Sequence, residues 1–162
     1  MINIREIRPE DAPQVRDLIR GIMETEFPAD GKSFTMHDLE QPDKYYRGEN
    51  DTFLVAEENG KIVGTVAVKE DTRDTALLRR VFVRKDCRGR GCGGMLMNRA
   101  LEFCFKRNYQ NVVFRGVDKM QAALKLCLKN GFEETKVPIQ DDVKLTILTR
   151  NIRNAGPAHA AD

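Results

Sequence analysis

Residues 52–68 constrain the fold more than any other stretch of this chain. Two β-rich runs, residues 52–57 and 62–68, flank Glu58, Asn59, Gly60 and Lys61. An Asn-Gly pair supplies two consecutive positions that tolerate positive φ, which a tight hairpin turn needs to match the twist of its strands. The middle of the chain is therefore an antiparallel hairpin, and any fold assigned to it must have a sheet at its centre.

The flanking patterns extend that sheet. Ile2, Ile4 and Ile7 read as a first strand, with Asp11 as N-cap and Pro13 just inside a helix. Val15, Leu18, Ile19, Ile22 and Met23 recur at three- and four-residue spacing, as one buried helix face does. Residues 25–50 contain Pro28, Gly31, Pro42 and Gly48 and lack periodicity, so a long irregular segment is expected; such segments are more often functional than decorative. Strands follow at 76–83, 111–117, about 132–137 and 143–149, with helices at 95–105 and from Asp118 onward. Gln121 completes a capping-box pattern with Asp118, and Asn130 with Gly131 ends that helix. One strand–helix–strand crossover after an antiparallel hairpin makes a mixed α/β sheet. A single domain over residues 1–152 and a flexible tail over 153–162 are expected.

Composition narrows the function. The 162 residues carry a net charge of only +2, against the basic excess of dedicated nucleic-acid binders. No apolar run is long enough to span a membrane and residues 1–11 lack a signal-peptide core, so a cytoplasmic protein is expected, with no membrane or nucleic-acid partner. Cys87, Cys92, Cys104 and Cys127 form no Cys-x-x-Cys pair, and only His37 and His159 could join them, which predicts free thiols and no metal site. Ser33, the one serine, lies four residues before His37 without the context of a nucleophile elbow.

The chemistry concentrates in residues 81–94, between a strand and a helix. Glycines at 89, 91, 93 and 94 let backbone N–H groups converge at a helix N-terminus, where unpaired donors and the helix dipole favour an anion. Arg88 and Arg90 add charge suited to a phosphate. Gly89, Gly91 and Gly94 also fit Gly-x-Gly-x-x-Gly, but residues 84–88 separate them from the strand and no doubly wound parallel set surrounds them. A Walker loop fails for want of Gly-Lys-Ser/Thr after the glycines.

Val83 followed by Arg88, Gly89, Arg90, Gly91, Cys92 and Gly93, together with a helix ending in Gly131-Phe132, resembles the GNAT superfamily of N-acetyltransferases. The Asn-Gly hairpin and the Arg8, Pro9, Glu10, Asp11 start are similar too. The resemblance covers roughly residues 2–150. It implies a mainly antiparallel sheet of about seven strands flanked by about four helices and splayed between the fourth and fifth strands. It also implies acetyl-CoA as acyl donor: pantetheine along Val81, Phe82 and Val83, and pyrophosphate on Arg88, Gly89, Arg90, Gly91, Cys92, Gly93 and Gly94. A primary amine of a small molecule would attack the thioester directly, in a monomer or homodimer.

The catalytic half departs from that family. The position of its usual tyrosine acid holds Cys127, a thiol that could act as acid or simply pack. Its usual helix asparagine falls at Met120, and its strand glutamate at Leu77. Glu26 and His37 come from the acceptor side, where His37 has the better pKa for a base. Arg79 and Arg80 lie beside the expected thioester; strand alternation turns at most one regularly into the cleft, where it would favour a carboxylate-bearing acceptor. The alternative is an acetyl-CoA-binding regulatory module with lost or weak catalysis.

Overall fold

The computed structural model describes residues 1–26, 36–135 and 145–153. Ser33, His159, the tail from residue 154, and the strand ends expected at 136–137 and 143–144 lie outside the described residues. Seven strands form one sheet in the order β1-β2-β3-β4-β5-β7-β6. They are β1 (Ile2–Glu6), β2 (Thr52–Glu58), β3 (Lys61–Glu70), β4 (Thr75–Val83), β5 (Asn111–Val117), β6 (Glu133–Thr135) and β7 (Leu145–Asn151). The helices are α1 (Ala12–Glu26), α2 (Pro42–Tyr45), α3 (Cys92–Lys106) and α4 (Gln121–Lys129). Every strand pair is antiparallel except β4 with β5, as the crossover through α3 requires.

The hairpin forms as expected, with Asn59 at φ 53° and Gly60 at φ 79°. Its strands are buried on both faces. Leu54, Val63, Val68 and Leu78 pack with Leu96 and Leu101 of α3 and Leu124 of α4. Phe53, Val55 and Ala67 pack with Val15, Ile19 and Ile22 of α1. Each such large side chain contributes on the order of 1.5–3 kcal/mol before conformational entropy is counted.

Three local expectations need correction. Asp11 is not the α1 N-cap: its carboxylate accepts from the Arg8 N–H at 2.7 Å and pairs with Arg5, which also reaches Glu57. That buried pair ties the start of α1 to β1 and β2. Helix α3 begins at Cys92, three residues early, because Gly91 at φ 86° turns the chain directly into it. Helix α4 begins at Gln121 instead of Asp118, whose carboxylate accepts from the Thr146 hydroxyl while the Gln121 amide donates to the Asp118 carbonyl.

Close packing fixes where α3 starts. A Cβ on Gly64 would sit 2.9 Å from Leu96 Cδ1, 3.2 Å from Cys92 Sγ and 3.2 Å from the Phe82 carbonyl oxygen. Gly64→Ala is expected to destabilise the protein by about 1–3 kcal/mol, through overpacking between β3 and the first turn of α3. Urea unfolding checks this; an unchanged midpoint would show that α3 is not seated by this contact.

Candidate functional site

Strands β4 and β5 pair only from Thr75 with Asn111 to Leu78 with Phe114. Beyond that point β4 stays with β3, and β5 stays with β7 through Val117. The two strands part, and a cleft of about 400 Å³ opens between them. Leu77, Leu78, Arg79, Arg80, Val81, Phe82, Val113, Phe114, Arg115 and Met120 line it. Among the described residues, backbone groups on the facing edges of residues 79–83 and 115–117 have no strand across from them, so the cleft offers a ready edge for an extended ligand.

A bulge produces the parting. Thr65 pairs with Phe82 and Ala67 with Arg79, so one residue of β3 faces two of β4. The extra turn is taken at Arg80, a non-glycine residue at φ 52°. Left-handed backbone costs an L-residue about 1–2 kcal/mol, which the surroundings must offset. The hydroxyl of Thr65, fully buried, donates to the Arg80 carbonyl at 2.7 Å. The Arg80 guanidinium donates to Asp38 from Nε at 3.0 Å and Nη2 at 2.6 Å. Asp38, 2% exposed in the turn at residues 37–39, also accepts from the Tyr46 hydroxyl at 2.6 Å.

The bulge overrides strand alternation. Arg79 and Arg80 both point to the side carrying α1 and residues 37–46, and Arg79 Nη2 lies 4.0 Å from Asp38 Oδ2. Of the two, Arg80 is occupied by Asp38, while Arg79 stays one-third exposed in the cleft. Arg115, Asp38 and Tyr46 were not singled out from the sequence. Alternation along β5 could have found Arg115, since Val112 and Phe114 are buried beneath it on the α3 face.

The glycine loop adjoins the cleft. Positive φ at Gly89 (78°) and Gly91 (86°) requires glycine there, and a Cβ on Gly89, Gly91 or Gly94 would meet nothing within 4 Å. Space is therefore open above the free N–H groups that begin α3. Gly93 has a different reason: its Cβ would sit 3.1 Å from Leu126, so it lets α3 approach α4. The Cys92 side chain is fully buried, leaving only its backbone toward the loop. Arg88 donates to the Val83 carbonyl at 2.9 Å and clasps Glu26 with both Nη atoms, at 2.8 and 2.7 Å. Arg90 pairs with Glu58 at 2.6 Å.

Three expected site residues lie elsewhere than on the cleft wall. Glu26 is at the glycine loop, held by Arg88. His37 is 78% exposed, with Glu40 at 4.0 Å. Cys127 is fully buried in the α3/α4 core, and burial pushes its thiol up to about 12, which suits packing and not proton donation near neutrality. Met120 does line the cleft, between the two cores. Among the described residues no group of three potential metal ligands occurs, and no helix is long and apolar enough to cross a membrane.

Residues 16–132 match the model of the Acetyltransferase (GNAT) family. The chain is 34% identical over 106 residues to the "Probable N-acetyltransferase camello" of Xenopus tropicalis, covering 64% of this chain and 48% of that protein. It is 34% identical over 103 residues to the N-acetylaspartate synthetase of the same frog, covering 63% of this chain and 37% of that protein. It thus spans about half or less of the length of these relatives. A GNAT-family acetyltransferase from Staphylococcus aureus superposes with a TM-score of 0.81 at 25% identity, over 93% of this chain and 99% of that one.

The buried Asp38 group carries a stability prediction. Burial alone would raise the Asp38 pKa, but hydrogen bonds from Arg80 and Tyr46 and the charges of Arg80 and Arg79 outweigh it, leaving a net depression. A depressed folded-state pKa contributes stability above the unfolded value of about 3.9, lost as pH falls below it through the folded value. Asp38→Asn should cost about 3–5 kcal/mol at pH 7 by leaving Arg80 buried without its countercharge. The variant's stability should also lose part of its fall between pH 4 and 2. Urea midpoints across pH would show this; equal losses at pH 7 and pH 2 would contradict it.

Proposed function

The chain belongs to the GNAT acetyltransferase family, whose members take their acetyl group from acetyl-CoA, and on that premise we propose that it acetylates the primary amine of a small, carboxylate-bearing molecule. The observation that carries this reading is the parting of β4 from β5 beside an open glycine loop. An extended pantetheine chain fits the free edge of Val81, Phe82 and Val83. The N–H groups from Gly89 to Gly94 fit a pyrophosphate, and Arg88 can exchange Glu26 for it, since a partly exposed pair is weakly held. Acetyl-CoA supplies the thioester that the amine attacks.

The protein's own contribution is positioning and charge. Among the described residues three arginines line the cleft, one of them, Arg80, paired with Asp38, and no carboxylate does, a field that favours an acceptor bearing a carboxylate and repels a polycation. N-acetylaspartate synthetase, by its name, forms the acetylated product of an amine with two carboxylates, which agrees with that preference. No imidazole, carboxylate, thiol or phenol lines the cleft among the described residues, so the ammonium proton leaves to water through the open mouth. The thiolate is protonated the same way.

Thiol release from acetyl-CoA with a panel of amino acids, polyamines and peptides tests this. All four cysteines are buried, so the thiol signal reports the product. Carboxylate-bearing amines should turn over, and preference for polyamines would refute the acceptor class. Log kcat/KM should rise with a slope of one toward the acceptor amine's own pKa. A plateau set by a group titrating near 6–7 would instead reveal a base supplied by the protein. Binding of acetyl-CoA without turnover of any amine would favour a regulatory module.

A further inference from the structure

We propose that Arg79 and Arg115, on opposite lips of the β4–β5 cleft, select an acceptor carrying two acidic groups besides its amine. The proposal rests on the acetyl-transfer reading and deepens it. The parallel register ends at Leu78 with Phe114, so Arg79 and Arg115 are the next residue on each strand. Both lie on the sheet face away from α3. Arg79 reaches toward Asp38 there, and Arg115 follows Phe114, which faces the α3 core.

Arg79 hydrogen-bonds to Tyr45, and the carboxylate nearest it, Asp38, is engaged elsewhere. Asp38 already accepts 2.6 Å bonds from Arg80 and from Tyr46, and Arg79 remains 4.0 Å away from it. Arg115 is exposed and has no carboxylate partner among the described residues. Two guanidinium groups facing each other across adjacent strands repel unless an anion comes between them. Neighbouring strands start about 4.8 Å apart and diverge from there, which separates the two guanidinium forks. One carboxylate on each fork, bidentate, would satisfy both, and an amino dicarboxylate carries the two that this needs. A monocarboxylate leaves one fork bare.

Steady-state kinetics with L-aspartate and L-glutamate against L-asparagine, L-glutamine, L-alanine and putrescine tests the proposal. The dicarboxylates should exceed their monoamides in kcat/KM by about tenfold to a thousandfold, because a site built for an ionic partner rejects the analogue lacking it. Arg115→Gln should bring that ratio at least tenfold closer to one, chiefly through KM, with Arg115→Lys in between. Thermal stabilisation by acetyl-CoA, read on the same variants, separates the two levels of the account. If acetyl-CoA stabilises the protein and amines are acetylated, but asparagine or alanine matches aspartate, the diacid proposal is overturned and acetyl transfer stands. If Arg115→Gln lowers kcat/KM equally for all acceptors, the selective role of Arg115 is overturned. If acetyl-CoA neither stabilises the protein nor is consumed, both readings fall.

Discussion

One extra residue in β4 shapes the site. From Arg79 onward the strand must follow β3 while accommodating an additional position, and the chain does so by turning Arg80 into left-handed backbone. Two contacts hold that conformation: the Thr65 hydroxyl on the Arg80 carbonyl and the Asp38 carboxylate on its guanidinium. Past the bulge the edge of β4 that faces β5 has no strand across from it among the described residues, Arg79 joins Arg80 on one face, and residues 37–46 are anchored to the sheet. The parted strand edge, the arginine wall of the cleft and part of the covering segment thus share a single origin.

The two halves of the site are built from different materials. The donor half is mostly backbone: an unpaired strand edge and the N-terminus of α3, with glycines where a side chain would intrude or the backbone would be strained. The proposed acceptor half is made of side chains, and among the described residues those lining it are apolar or cationic. Leu77 and Met120 line the cleft, and Cys127 is buried in the core. In the proposed reaction such a site would act by holding the reactants together, which can supply much of the needed barrier reduction without a general base.

What the sequence revealed follows from how local each cause is. Asn59 with Gly60 dictates its turn within two residues, and Gly89 and Gly91 dictate theirs, so the hairpin and the path of the glycine loop were legible. The split between the fourth and fifth strands was legible only through family resemblance. Its cause, a positive φ at an arginine, leaves no local signature and depends on Asp38, 42 positions earlier. For the same reason alternation misdirected the reading of Arg79 and Arg80. Glu26 was expected near the acceptor because it ends α1, yet α1 runs toward the glycine loop, where Arg88 takes it. Cys127 is fully buried and burial raises its thiol, which favours the filler over the acid that the sequence left open.

Amide hydrogen exchange with and without saturating coenzyme A examines the central claim directly, because it reports on the strand edge itself. The account predicts slowed exchange within residues 79–83 and 89–94, where unpaired N–H groups would gain partners. Protection confined to other parts of the chain, with those two segments unchanged, would contradict it.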